Sequence, residues 1–86
     1  MARLIPTAER ITLARALIQK ARDYPVPPEG GRGDFSYIAQ VKDLLRQARD
    51  MVKFVAYNPG IPPDLKAEAA SIFTEADQAQ KEILHP

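Results

Sequence analysis

Proline placement is the feature that most constrains this chain. Proline lacks a backbone donor and clashes with the preceding turn, so helix interiors reject it while first turns accept it. The eight prolines fall at 6, 25, 27, 28, 59, 62, 63 and 86. They form four groups with three long proline-free stretches between them. Gly30, Gly31, Gly33 and Gly60 lie in the same gaps. No strand candidate and no internal repeat is present, so three helices are the economical reading.

The apolar rhythm inside each stretch supports it. In the first, Ile11, Ala14, Ile18 and Ala21 step by 3, 4 and 3, with Leu13 and Leu17 widening the stripe. Thr7 is the expected N-cap, Glu9 and Arg10 follow in the first turn, and the helix should end near Tyr24, since the residue before Pro25 is pushed out of the α region. In the second, Ile38, Val41, Leu45, Ala48, Val52 and Val55 make an unbroken heptad seam. Asp34 is its expected N-cap and Asn58-Pro59-Gly60 its stop. In the third, Leu65, Ala69, Ile72, Ala76, Ala79 and Ile83 step by 4, 3, 4, 3 and 4 behind Pro62-Pro63-Asp64. Periodicity of this kind predicts helices over about 8–24, 35–57 and 63–84 in one domain spanning 1–86.

At 1.5 Å per residue the last two helices are each roughly 30–35 Å long and the first roughly 25 Å. The short link between helices two and three favours an antiparallel hairpin, and the longer link from Pro25 to Gly33 lets helix one fold back beside it. The expected fold is an all-α, up-down-up three-helix bundle. Charge offers a check on it. Arg15 and Arg22 flank the apolar stripe of helix one, and Asp64, Glu68, Glu75 and Glu82 flank that of helix three on the opposite side. Parallel neighbours bring such flanks together, pairing Arg15 with Glu68 and Arg22 with Glu75 if the helix starts are level. Exposed pairs contribute only ~0.2–1 kcal/mol each, so their use is in selecting the arrangement.

Composition narrows the function. Twelve basic and eleven acidic residues leave a net charge of +1, too little to steer the chain toward phosphate or anionic lipid at long range. With no cysteine, neither a disulfide nor thiolate chemistry is available. Glu9, Arg10 and Arg15 interrupt any apolar leader, and no window approaches a membrane span of ~20 residues, so a cytoplasmic protein with no membrane partner is expected. A chain this small buries only about 60–65% of the surface its unfolded form exposes, which makes a second subunit useful for stability.

Motifs of catalysis are thin. Glu82-Ile83-Leu84-His85 has the E-x-x-H spacing of bundle di-iron sites, yet such sites need further inward glutamates on facing helices, and here those positions are aliphatic. With one histidine and no cysteine a nucleophilic triad has nothing to build from. Gly30-Gly31-Arg32-Gly33 lacks the strand and the lysine of a phosphate loop. Arg32-Gly33-Asp34 spells an integrin tripeptide, and Arg22 to Pro28 spells R-x-x-P-x-x-P, but Asp34 is placed to cap a helix and Arg22 to end one. No enzyme activity, metal or cofactor is expected.

Two surfaces remain, both on helix two. Lys42, Arg46, Arg49 and Lys53 step by 4, 3 and 4 as a basic stripe able to track phosphates, the alternative being a small nucleic-acid-associated protein. Asp43 and Asp50 lie within one turn of it and no aromatic is interleaved, so intrahelical pairing is the stronger reading and nucleic acid is disfavoured. The second is the width of the apolar face, since Tyr37, Leu44, Met51 and, further round, Phe54 lie beside the heptad seam. A helix with one neighbour needs a narrower stripe. Either helix two touches both other helices, or this row is left for a second copy or another protein. The expectation is a non-catalytic interaction or assembly module, self-associating as a dimeric bundle or serving as a small subunit, with Tyr37, Leu44, Met51 and Phe54 as its contact residues.

Overall fold

The computed structural model describes residues 6–84. Within them are three α-helices, α1 (Thr7–Arg22), α2 (Phe35–Val52) and α3 (Pro63–Ile83), and two single 3-10 turns, Gly31–Gly33 and Val55–Tyr57. The described residues contain no strand, and the three helices pack on one another.

The helix starts follow local chemistry. Asp34 caps α2, its Oδ1 accepting the Tyr37 amide at 2.9 Å. Pro63 opens α3 with Asp64 in the first turn, where an acid favours the positive end of the dipole. At α1 the expected Thr7 cap is not made. Pro6, held extended by its ring, is the entry residue, and its carbonyl accepts the Arg10 amide at 2.9 Å. Thr7 is thereby the first helical residue. In the link after α1, Gly31 takes a φ of +56°, which a side chain would resist, and its amide closes a turn on the Pro27 carbonyl at 3.0 Å.

Two helices end earlier than periodicity predicts. The last turn of α1 tightens, with the Tyr24 amide reaching the Ala21 carbonyl at 3.3 Å. More consequentially, α2 stops at Val52. Lys53 and Phe54 turn, and Val55–Tyr57 wind as a 3-10 turn in which the Tyr57 amide bonds the Phe54 carbonyl at 3.1 Å. Val55 is buried all the same, so the apolar rhythm persists while the backbone beneath it changes.

Every predicted seam faces inward. Ile11, Ala14, Ile18 and Ala21 are buried, as are Val41, Leu45, Ala48, Val52 and Val55, and so are Ala69, Ile72, Ala76, Ala79 and Ile83. Ile38 and Leu65 pack on this core half-exposed. Among the described residues no polar or charged residue is buried, so the interior asks for no hydrogen-bond network. Six of its sixteen side chains are alanines, which let the backbones approach closely.

Helix α2 touches both of its neighbours. On one flank the Tyr37 ring lies 6.1 Å from that of Tyr24, and the Met51 carbonyl accepts Arg10 of α1 at 3.4 Å. On the other, Arg49 donates to Asp77 Oδ1 at 2.8 Å and Gln80 Oε1 at 3.3 Å on α3. The α1–α2 contact is the most extensive of the three, and α2–α3, the expected hairpin, is no larger than α1–α3.

Ion pairs join α1 to α3. Arg15 reaches Glu68 at 3.7 Å and Glu75 at 3.3 Å. Arg22 pairs with Glu82 at 2.5 Å instead of Glu75. Arg15 thus spans the two glutamates, with Ser71 between them accepting from it at 3.4 Å. Among the described residues no helix is long and apolar enough to cross a membrane.

Candidate functional site

The four expected contact residues separate into two kinds. Tyr37 is 3% exposed and Leu44 7%, both absorbed into the core. Met51 is half-buried and packs on that core. Phe54, set off the row by the end of α2, is 68% exposed. The wide apolar arc is thus spent mainly inside the chain, and its outward part is confined to the end of α2.

A hollow lies at that end. Thr7 and Arg10 of α1, Met51 at the close of α2, and Phe54, Val55, Asn58 and Ile61 from the following link enclose about 300 Å³. Tyr57, in the same link, is 81% exposed. Its shape follows from the break in α2, since the 3-10 turn tucks Val55 under while leaving Phe54 outside. Lys53 covers part of the Phe54 ring, its Nζ 5.1 Å from the centroid, a cation–π contact that leaves the other side of the ring free. Met51, Phe54, Val55 and Ile61 give it apolar lining beside Thr7, Arg10 and Asn58. It can seat a hydrophobic side chain.

Periodicity found Phe54 but not the residues that complete the hollow with it. Thr7, Arg10 and Ile61 belong to different segments, and only tertiary packing joins them. A further exposed aromatic, Phe35 at 89%, sits at the opposite end of α2. The sequence signal for it was its position, since the residue after an N-cap falls outside the apolar arc that Val41, Leu45 and Ala48 define.

Charge on the basic stripe is met within the chain. Arg46 donates to Asp43 at 2.6 Å and to Asp50 at 3.4 Å. Arg49 is committed to Asp77, and Lys53 lies 3.9 Å from Asp50. Lys42 is exposed beside them. The hydrogen bond from Arg46, then that from Gln47, holds the Asp43 carboxyl below its ordinary value. A row neutralised in this way offers phosphate little field.

A second depression, about 440 Å³, runs between α1 and α3, lined by Arg15, Ile18, Gln19, Arg22, Thr74, Glu75 and Gln78. Its charged groups again satisfy one another. Arg22, through its hydrogen bond and then its charge, holds the Glu82 carboxyl below the usual range. That engagement also removes Glu82 from the E-x-x-H pattern, whose His85 lies outside the described residues. Among the described residues no three metal-binding side chains gather. Arg22 ends α1 in its ion pair, and Asp34 caps α2, so the proline-rich and Arg-Gly-Asp matches both coincide with structural duties.

Comparison with protein-family models, curated proteins and solved structures found no match to this chain.

Proposed function

We propose that this chain is a non-catalytic helical interaction module that self-associates through the end of α2. One observation carries the reading: Phe54, which lines the hollow, stands 68% exposed, and Tyr57 three residues on stands 81% exposed. Burying a phenylalanine is worth ~1.5–3 kcal/mol, so a bundle with a thin margin gains from covering this corner. Aromatic side chains gathered on a surface are the composition of interface centres. The mixed charge nearby, Lys53 3.9 Å from Asp50, suits a second copy presenting the same residues in reverse.

The bundle reads as up-down-up. Support comes from Arg15–Glu75 and Arg22–Glu82, which keep one separation of 60 residues along both helices, as parallel neighbours do. Arg10 beside Met51 and Tyr24 beside Tyr37 step in opposite directions, as antiparallel neighbours do.

Sedimentation velocity over a concentration series tests self-association. The wild-type chain is expected to gain mass with concentration, and Phe54→Glu to remain a monomer with unchanged helical circular dichroism. A wild-type monomer at every concentration overturns the proposal.

A further inference from the structure

The aromatic corner at the end of α2 is too small to hold two copies together by itself. A phenylalanine or tyrosine offers at most roughly 150–250 Å² to burial, whereas a stable pair of proteins covers about 800 Å² on each partner. Self-association through Phe54 therefore needs further surface running on from that corner. The seam between α1 and α3 is crossed by ion pairs from Arg15 to Glu68 and Glu75 and from Arg22 to Glu82. The seam between α2 and α3 is crossed by Arg49 to Asp77. The seam between α1 and α2 adjoins the hollow directly, because Arg10 and Met51 both line it and meet across the seam at 3.4 Å.

Followed along α1 from Arg10, that seam is flanked by leucine. At about 100° per residue, Leu17 lies about 20° and Leu13 about 60° round the helix from Arg10, on the side away from Arg15. Leu17 packs half-buried on the core, whereas Leu13 is 39% exposed. Glu9 and Lys20, both exposed, fall with the two leucines in one arc of about 80°. From N- to C-terminus the stripe therefore reads acid, leucine, leucine, base. The midpoint of Leu13 and Leu17 is also, to within about half a residue, the midpoint of Glu9 and Lys20. Laid side by side in the same direction, two such stripes would set Glu9 against Glu9 and Lys20 against Lys20. Laid antiparallel about a two-fold axis at the shared midpoint, they bring Leu13 to the second copy's Leu17 and Glu9 to the second copy's Lys20, twice over.

We infer that a second copy of this chain docks on the Glu9, Leu13, Leu17 and Lys20 stripe, with the two α1 helices antiparallel. The inference rests on the self-association proposed above and supplies its axis. Phe54, level with Thr7 and Arg10 at the start of α1, then lies toward the closing turn of the second copy's α1. The two aromatic corners thereby cover the two ends of one continuous contact, and exposed Ala16 keeps its middle low enough for the helices to approach.

Sedimentation equilibrium of the full chain tests this with four proteins. Leu13→Lys, at a position already open to water, is expected to keep wild-type circular dichroism and to weaken association at least about tenfold, because two leucines per pair lose their cover. Glu9→Lys and Lys20→Glu each set like charges together at both ends of the contact and are each expected to weaken it severalfold at low salt. Mixed in equal amounts, those two chains recover both opposite-charge pairs and are expected to associate as tightly as wild type, a rescue that local damage to α1 would not give. A wild-type chain that stays monomeric overturns self-association itself. A wild-type dimer that Phe54→Glu disrupts and Leu13→Lys leaves intact, or a mixture no tighter than its two components, overturns the α1 stripe alone.

Discussion

Asp34 and Pro6 are neighbours in kind, each standing one residue outside a helix, and they open it by different means. Asp34 supplies a carboxylate to the Tyr37 amide, satisfying one of the donors that every helix leaves free at its start. Pro6 supplies only an extended backbone, and α1 begins with no side-chain cap. This difference explains what sequence reading gets right here. An acid directly before an apolar rhythm is legible as a cap, whereas Thr7 lost that role because the proline before it was already the non-helical residue. Asp34→Ala is expected to lower stability by about 1 kcal/mol, and Asp34→Asn by much less, since both amide and carboxylate oxygens accept at that position. Urea midpoints with unchanged slopes would show it. An alanine variant as stable as wild type would mean that the Tyr37 amide finds another acceptor.

Among the elements, α3 shows why the core was legible and the surface less so. Its buried positions recur every three or four residues, and the same rule located the seams of α1 and α2. A rule of period cannot say how many neighbours a helix has, so the broad face of α2 stayed ambiguous between two helices and a partner. The structure absorbs Tyr37 and Leu44 into the core, leaving Phe54 as the exposed member of that set. Nor does period reveal where α2 stops, because Val55 keeps the rhythm after the α-helix has ended. Alanine carries the close packing of α3: Ala76 and Ala79 are fully buried, whereas Ala70 faces water. Ala76→Leu has no space to enter without moving a helix and is expected to cost about 1–3 kcal/mol. Ala70→Leu, with the same added volume on the open face, is expected to stay within about 0.5 kcal/mol. Thermal unfolding of the pair makes the comparison, and equal losses would show that helix preference, not packing, sets both.

Across the whole molecule, the apolar core brings the three helices together but is indifferent to which flanks meet, because its side chains are non-directional. Direction comes from the charged margins. Arg15 finds Glu68 and Glu75, and Arg22 finds Glu82, all across the margin between α1 and α3. The contribution of such pairs is visible through acid titration. Glu82 has its carboxyl lowered from an ordinary value of 4.5 by Arg22, chiefly through the hydrogen bond. A group depressed in the folded state stabilises above its ordinary value, and the stabilisation is lost as pH falls through the lowered one. Glu82→Gln removes the charge at every pH. Its deficit against wild type is therefore expected to be largest near neutrality, to shrink as pH drops below about 4.5, and to diminish with added salt, because both partners are substantially exposed. Urea midpoints of the two proteins across pH 2–7, at about 0.05 and 0.5 M salt, carry the test. A deficit that does not change with pH would assign Glu82 a packing role at the close of α3 and take from the ion pair its part in setting the helices side by side.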